Sequence, residues 1–414
     1  MVTTTSSDTN TSRNTSRSRL EQQQGDVVIE GFVTLISKYD IDDKRIDFRT
    51  MKEALTPERV EWNTEVLNRL QLNLLPLLEQ QIASLSLSLD PARLLKDPLF
   101  IFDLILGIQA QLDQTLTQIL SALDIICPEP TYHSSDRRDD LDYKAVKYFR
   151  ICRLYPLIIN DLIDDVHSLF ENSWKLIQTL ELTTDKQPLP TDNQIAVARK
   201  AIINDTSSCY KGIKTAIRWI SGSEFSLALR DWPEGLRDID PVLEKLLRLI
   251  KRTPLNGEHR EAQDEPISEP VIEVAQTLLP IVKLCRLFLT QSTRWMSQKG
   301  LPIFSGMASD DLETLSFLAM VVQSDLQDFL PMLKEPARND EAVTRYHFTR
   351  ATNSLHERFN ASIYLMDHYF VPMIPDTQDR HHCDTWLTTW WEEFGLAIDQ
   401  LTNAFEALDG RSFD

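Results

Sequence analysis

The chain has 414 residues, 42% hydrophobic and 25% charged, enough apolar material for two domains of ordinary size. Sixty-two acids against forty-three bases leave a formal charge of −19. A field of that sign repels phosphate backbones and anionic lipid heads, so nucleic acid and membrane surfaces are set aside as partners and a protein with a basic surface fits better.

The eleven glycines are too few for the Gly-rich phosphate loops and tight hairpins of Rossmann, P-loop and barrel folds. What recurs instead is helical periodicity. Residues 1–25 are polar, rich in Ser and Thr and without an apolar h-region, and read as a disordered tail with no secretory signal. Val27 to Tyr39 fits either a helix or a strand, and IDDKRIDFRT after it reads as loop. A long helix is predicted from Thr56-Pro57-Glu58, with Thr56 as cap and Pro57 in the first turn, to about Leu87. A second stripe runs through Ile101, Ile105, Ile108, Leu112, Leu116, Ile119, Leu123 and Ile126 and ends at Cys127-Pro128. Further helices are predicted over about 141–182 and 194–220.

Gly222, Pro233, Gly235 and Pro241 then interrupt the pattern, and residues 222–240 read as a junction. A helix to about Lys251 is followed by a charged stretch, 252–268, that reads as a mobile loop. The second half repeats the scheme, with helices predicted at about 268–298, 309–335, 338–370 and 384–409. Leu312, Leu315, Ala319, Val322, Leu326, Phe329 and Leu333 make the clearest stripe. Prolines inside apolar runs, at Pro76, Pro156 and Pro280, predict kinks, and the similar settings of Pro76 and Pro280 hint at an internal duplication. The predicted fold is all-α. An N-terminal antiparallel helical bundle spans 26–221 and a C-terminal one 241–414, each drawn as four long helices joined by mostly short connections.

Little in this frame has the spacing of chemistry. His381-His382-Cys383-Asp384 is dense in ligand types, but adjacent residues rarely converge on one ion, and the segment reads as a loop in which Asp384 caps the last helix. Asp164 and His167 are three apart on a helix face, with no nucleophile or opposing carboxylate to complete an acid–base site. The di-iron E-x-x-H pattern is missing, and Cys127, Cys152, Cys209, Cys285 and Cys383 are widely spaced, without any C-x-x-C. No metal, cofactor or catalytic residue is predicted. The tryptophans carry more. Trp386 and Trp390 share a helix face and Trp391 is turned about 100° away, so a narrow core face does not easily bury both Trp390 and Trp391. Trp386, Trp390, Trp391, His356 and His368 are therefore the candidate partner-binding residues, with core packing as the alternative.

The segments NLLPLLEQQI, IQAQLDQTLTQI, LLPIVKLCRLF, SDDLETL, VPMIPDT and TWWEEFGLAI resemble a group of uncharacterised predicted proteins of basidiomycete fungi, rust fungi among them. That resemblance implies an all-helical fold and carries no activity. At the level of architecture the paired bundles are also similar to the cyclin-D1-binding protein family, which implies an acidic, adaptor-like protein. The functional expectation is a cytoplasmic or nuclear interaction protein presenting helical surfaces to a protein partner. The alternatives are a ligand pocket or enzyme in the C-terminal bundle and a structural subunit of a larger assembly.

Overall fold

The structure, a computed structural model, describes residues 8–40, 56–127, 140–185, 191–251, 269–297, 301–334 and 341–411. Among the described residues there are helices and no strands. The chain divides into two compact units, Met1–Asp136 with Asp142–Ser221, and Arg137–Leu141 with Gly222–Asp414. The loop predicted at 252–268 lies outside the described residues, as do the chain before Asp8 and the IDDKRIDFRT segment.

The first unit is built from α1 (Asp8–Lys38), α2 (Pro57–Arg69), α3 (Leu75–Ser88), α4 (Pro91–Lys96), α5 (Pro98–Ile126), α6 (Tyr148–Pro156), α7 (Asp164–Thr179) and α8 (Asp192–Ser221). Thr56 accepts a hydrogen bond from the Arg59 amide, and Pro57 opens the first turn of α2, where a missing N–H costs nothing. The packing is a closed ring of five: α1 against α5, α5 against α3, α3 against α8, α8 against α7, and α7 against α1. Phe32, Ile82, Phe102, Leu112, Leu162, Phe170 and Ile213 fill its centre. Val27 to Tyr39, whose pattern fits either a helix or a strand, is helical to Lys38, and α1 supplies the fifth wall, with Val28, Phe32 and Leu35 buried. One expectation changes here. The single helix predicted at 141–182 is instead a 3₁₀ stretch (Leu141–Val146) with Lys144 at φ 49°, then α6, a wide π-turn (Leu157–Ile163) and α7.

The second unit contains α9 (Glu224–Ala228), α10 (Trp232–Lys251), α11 (Glu269–Met296), α12 (Ser309–Lys334), α13 (Glu341–Leu365) and α14 (Thr377–Arg411). It too is a ring of five, running α10, α11, α14, α13, α12 and back to α10. Residues 222–240, read as a junction, are folded into this unit as α9 and the first half of α10. Trp232 is wholly buried and donates from Nε1 to the Leu315 carbonyl at 2.9 Å. Glu224, also wholly buried, accepts from the Ser305 amide (2.7 Å) and hydroxyl (2.6 Å), which ties the segment before α12 to the start of α9. The two rings connect their helices in different orders, which removes the support that Pro76 and Pro280 lent to a duplicated unit.

Three prolines sit beside a wide turn, whereas Pro241, Pro280 and Pro331 lie inside α10, α11 and α12 without one. Pro76 follows a π-turn at Leu70–Leu74, Pro156 precedes the one at Leu157–Ile163, and Pro372 follows the one at Met366–Phe370. A proline breaks the i→i−4 ladder, and a wide turn beside it absorbs the misfit and re-aims the side chains it carries.

Candidate functional site

The sequence-predicted partner residues do not form one surface. Trp390 is 3% exposed, stacks on Phe394, packs against Phe288 and Phe359, and donates from Nε1 to the Leu284 carbonyl at 2.9 Å. It is a core residue. Trp386 is half-buried and meets Trp295 edge to face, with ring centroids 4.9 Å apart. Trp391 is half-buried beside exposed His356, with centroids 4.7 Å apart. His368 stacks on exposed Tyr364 at 5.7 Å and meets Tyr369 edge-on. So the structure joins His356 to Trp391 and gives His368 a different set of neighbours.

The His381-His382-Cys383-Asp384 segment is corrected from loop to helix. Asp376 accepts from the amides of Gln378 and Asp379 and starts α14 seven residues before the predicted position, so Asp384 is interior and caps nothing. His381 and His382 are exposed, whereas Cys383 is wholly buried and its thiol is pushed up to about 12 by desolvation. Burial likewise raises the thiols of Cys127, Cys209 and Cys285, the opposite of what activates a nucleophile. Among the described residues no group of three His, Cys, Asp or Glu side chains could hold a metal ion, and no helix is long and apolar enough to cross a membrane. Asp165 is held above the usual carboxylate range, first by burial and then by Asp164, Asp161 and Asp205.

Among the described residues, one groove with the shape of a site lies in the first unit, and sequence reasoning missed it. A groove of about 510 Å³ runs between α2, with the π-turn that extends it, and the C-terminal half of α5. The Arg69 guanidinium donates to Gln118 Oε1 at 3.1 Å across its middle. Trp62 of α2 and Ile125 of α5, each seven residues along its helix from that bond, both line the groove and are apolar. The other end is walled by Leu72 and Leu74 of the π-turn. The Leu75 amide bonds to the Leu70 carbonyl, five residues back, and this wide turn buries Leu70 and Leu74 while leaving Leu72 on the outside. Trp62 is 55% and Leu72 67% exposed. One signal was available: Leu70 and Leu74 are four apart and share a helix face, whereas Leu72, two residues from each, is turned about 200° from them and cannot join it.

The outer face of α2 is acidic. Glu58, Glu61 and Glu65 are all exposed at spacings of three and four, and so form one stripe beside Trp62. The carboxyl of Glu58 lies below its ordinary range because its own backbone amide and the Thr56 hydroxyl donate to it. Glu65 is four residues before Arg69, a spacing suited to an ion pair, yet Arg69 points its guanidinium at Gln118. Glu61 and Glu65, also four apart, repel each other.

Two family models match the chain, one for each unit. Residues 63–221 match a domain of unknown function (DUF8723). Residues 223–403 match a different one (DUF8721). The groove falls within or beside the first match, and Trp386, Trp390, Trp391, His356 and His368 fall within the second. No curated protein and no solved structure matches the chain.

Proposed function

We propose that the chain is a non-catalytic interaction protein that takes a protein partner along the groove between α2 and α5. The observation that carries this reading is the pair of large apolar side chains, Trp62 at 55% and Leu72 at 67% exposure, held outward on the walls of one cleft. Leaving such area in water forgoes about 25 cal/mol per Å² of burial, and tryptophan is the residue type most enriched among side chains that anchor protein interfaces. Asn68, Gln118 and Ser121 supply amide and hydroxyl groups between the apolar ends, where an occupant can pair its own polar groups. The five free cysteines suit the cytoplasm or nucleus, where thiols stay reduced.

A photo-crosslinking residue at position 72 of the full chain tests this, with the same residue at exposed position 393 as the reference. In extract, position 72 is expected to give a discrete polypeptide adduct that Trp62→Ala removes. Adducts no stronger than those at position 393, or indifferent to Trp62→Ala, would overturn the proposal.

A further inference from the structure

We infer that the occupant of the groove is an amphipathic helix with lysines or arginines at one end, a deepening that rests on the docking role proposed for the groove. Three features of the site converge on that partner.

The first is length. Trp62 and Leu72 are ten residues apart along a continuous helical wall, which is about 15 Å at 1.5 Å per residue. An occupant running alongside needs apolar side chains about 15 Å apart on one face, which a helix supplies about three turns apart, with intermediate positions three or four residues on. The second is the distribution of polarity. The apolar ends flank a middle formed by Asn68, Arg69, Gln118 and Ser121, where the Arg69–Gln118 bond already closes the cleft. An occupant therefore seats its anchors at the two ends and crosses the centre over polar groups.

The third is charge. Glu58, Glu61 and Glu65 rise on one side of the Trp62 end, whereas the Leu72 end has no acid among its lining residues. A helix whose basic residues lie over the Glu58–Glu65 stripe relieves the repulsion between Glu61 and Glu65, and the asymmetry sets its direction in the groove. The same stripe disfavours a second copy of this chain as occupant. Two copies, each at −19, would bring like-charged surfaces together.

The test is a selection with the full chain as bait from a displayed library of amphipathic helical peptides about four turns long, randomised at the flanks. Peptides whose binding is lost on Leu72→Asp are expected to carry Lys or Arg at one end only. For these peptides the double reversal Glu61→Lys with Glu65→Lys is expected to weaken binding about tenfold in low salt, and Glu-for-Lys versions to recover it. Groove-dependent peptides without a basic end, or indifference to the charge reversal, would overturn the assignment of the partner and leave the docking role standing. Peptides that all bind Leu72→Asp as well as the parent, or no binders at all, would overturn both. Self-association abolished by Leu72→Asp in light scattering would replace the basic helix with a second copy.

Discussion

Gln109 of α5 lies directly over Gly31 of α1 and donates from Nε2 to the Val28 carbonyl at 2.9 Å in the buried centre of the first unit. A Cβ at position 31 would stand 2.3 Å from Gln109 Oε1, so the contact exists because position 31 has no side chain. This is how α1, polar over its first half, is held as the fifth wall of the ring. Gly31→Ala is expected to cost about 1–3 kcal/mol through overpacking and loss of the Gln109 bond. Gln109→Ala in the same chain should relieve part of that clash, so the double variant is expected to be less unstable than the sum of the singles. Urea unfolding followed by circular dichroism measures both.

The two adjacent tryptophans of α14 should separate sharply. Trp390→Ala is expected to cost about 3–5 kcal/mol, because it empties a site among Phe288, Phe359 and Phe394 and removes the bond to the Leu284 carbonyl. Trp390→Phe keeps most of the volume and should cost about 1 kcal/mol. Trp391→Ala, at a half-buried position beside His356, is expected to cost well under half as much as Trp390→Ala. Equal losses at positions 390 and 391 in urea titrations would contradict this placement.

Asp165 predicts a pH dependence of definite sign. Its folded-state pKa is raised above the ordinary 3.8 by burial and by neighbouring carboxylates, so the folded state holds its proton more tightly than the unfolded state does. The favourable contribution of that proton is present below 3.8 and is lost as pH rises through the folded value. Asp165→Asn is therefore expected to be more stable than the parent at neutral pH, with the gap closing as pH falls through the carboxylate range. Melting temperatures measured between pH 3 and 7 check it.

The thiols predict a labelling order. Cys209, Cys285 and Cys383 are wholly buried, and desolvation raises all three. In native protein at mildly alkaline pH they are expected to resist a maleimide reagent for hours and to react within minutes in denaturant. Mass spectrometry of peptides after timed labelling reads the order, and rapid native labelling of Cys285 would refute it.

Much of the fold was legible because burial imposes a period. The stripes of α5 and α12 lie at helical spacing, and Thr56-Pro57 starts α2 by a local hydrogen bond and a fixed φ. What failed depended on competition between local choices. Asp376 and Asp384 are both plausible caps for α14, and Asp376 captures the amides of Gln378 and Asp379. The first turns of α14 carry polar His381 and His382, so hydrophobic period alone is weak there. Of the candidate site, the pairing of His356 with Trp391 and the burial of Trp390 needed the partner helices α11 and α13 to be in place.

The order of residues alone determined an acidic chain of long amphipathic helices, because charge is a sum over residues and helix faces follow from spacing within a few turns. It could not determine which helices neighbour one another in each ring. It could not show that Gly31 would seat Gln109, or that the wide turn before Pro76 would leave Leu72 on the wall of a groove with Trp62 and Ile125. Most of those relations join residues dozens of positions apart. They are decided by which close-packed arrangement buries every stripe at once, a condition on the whole unit that no single helix contains.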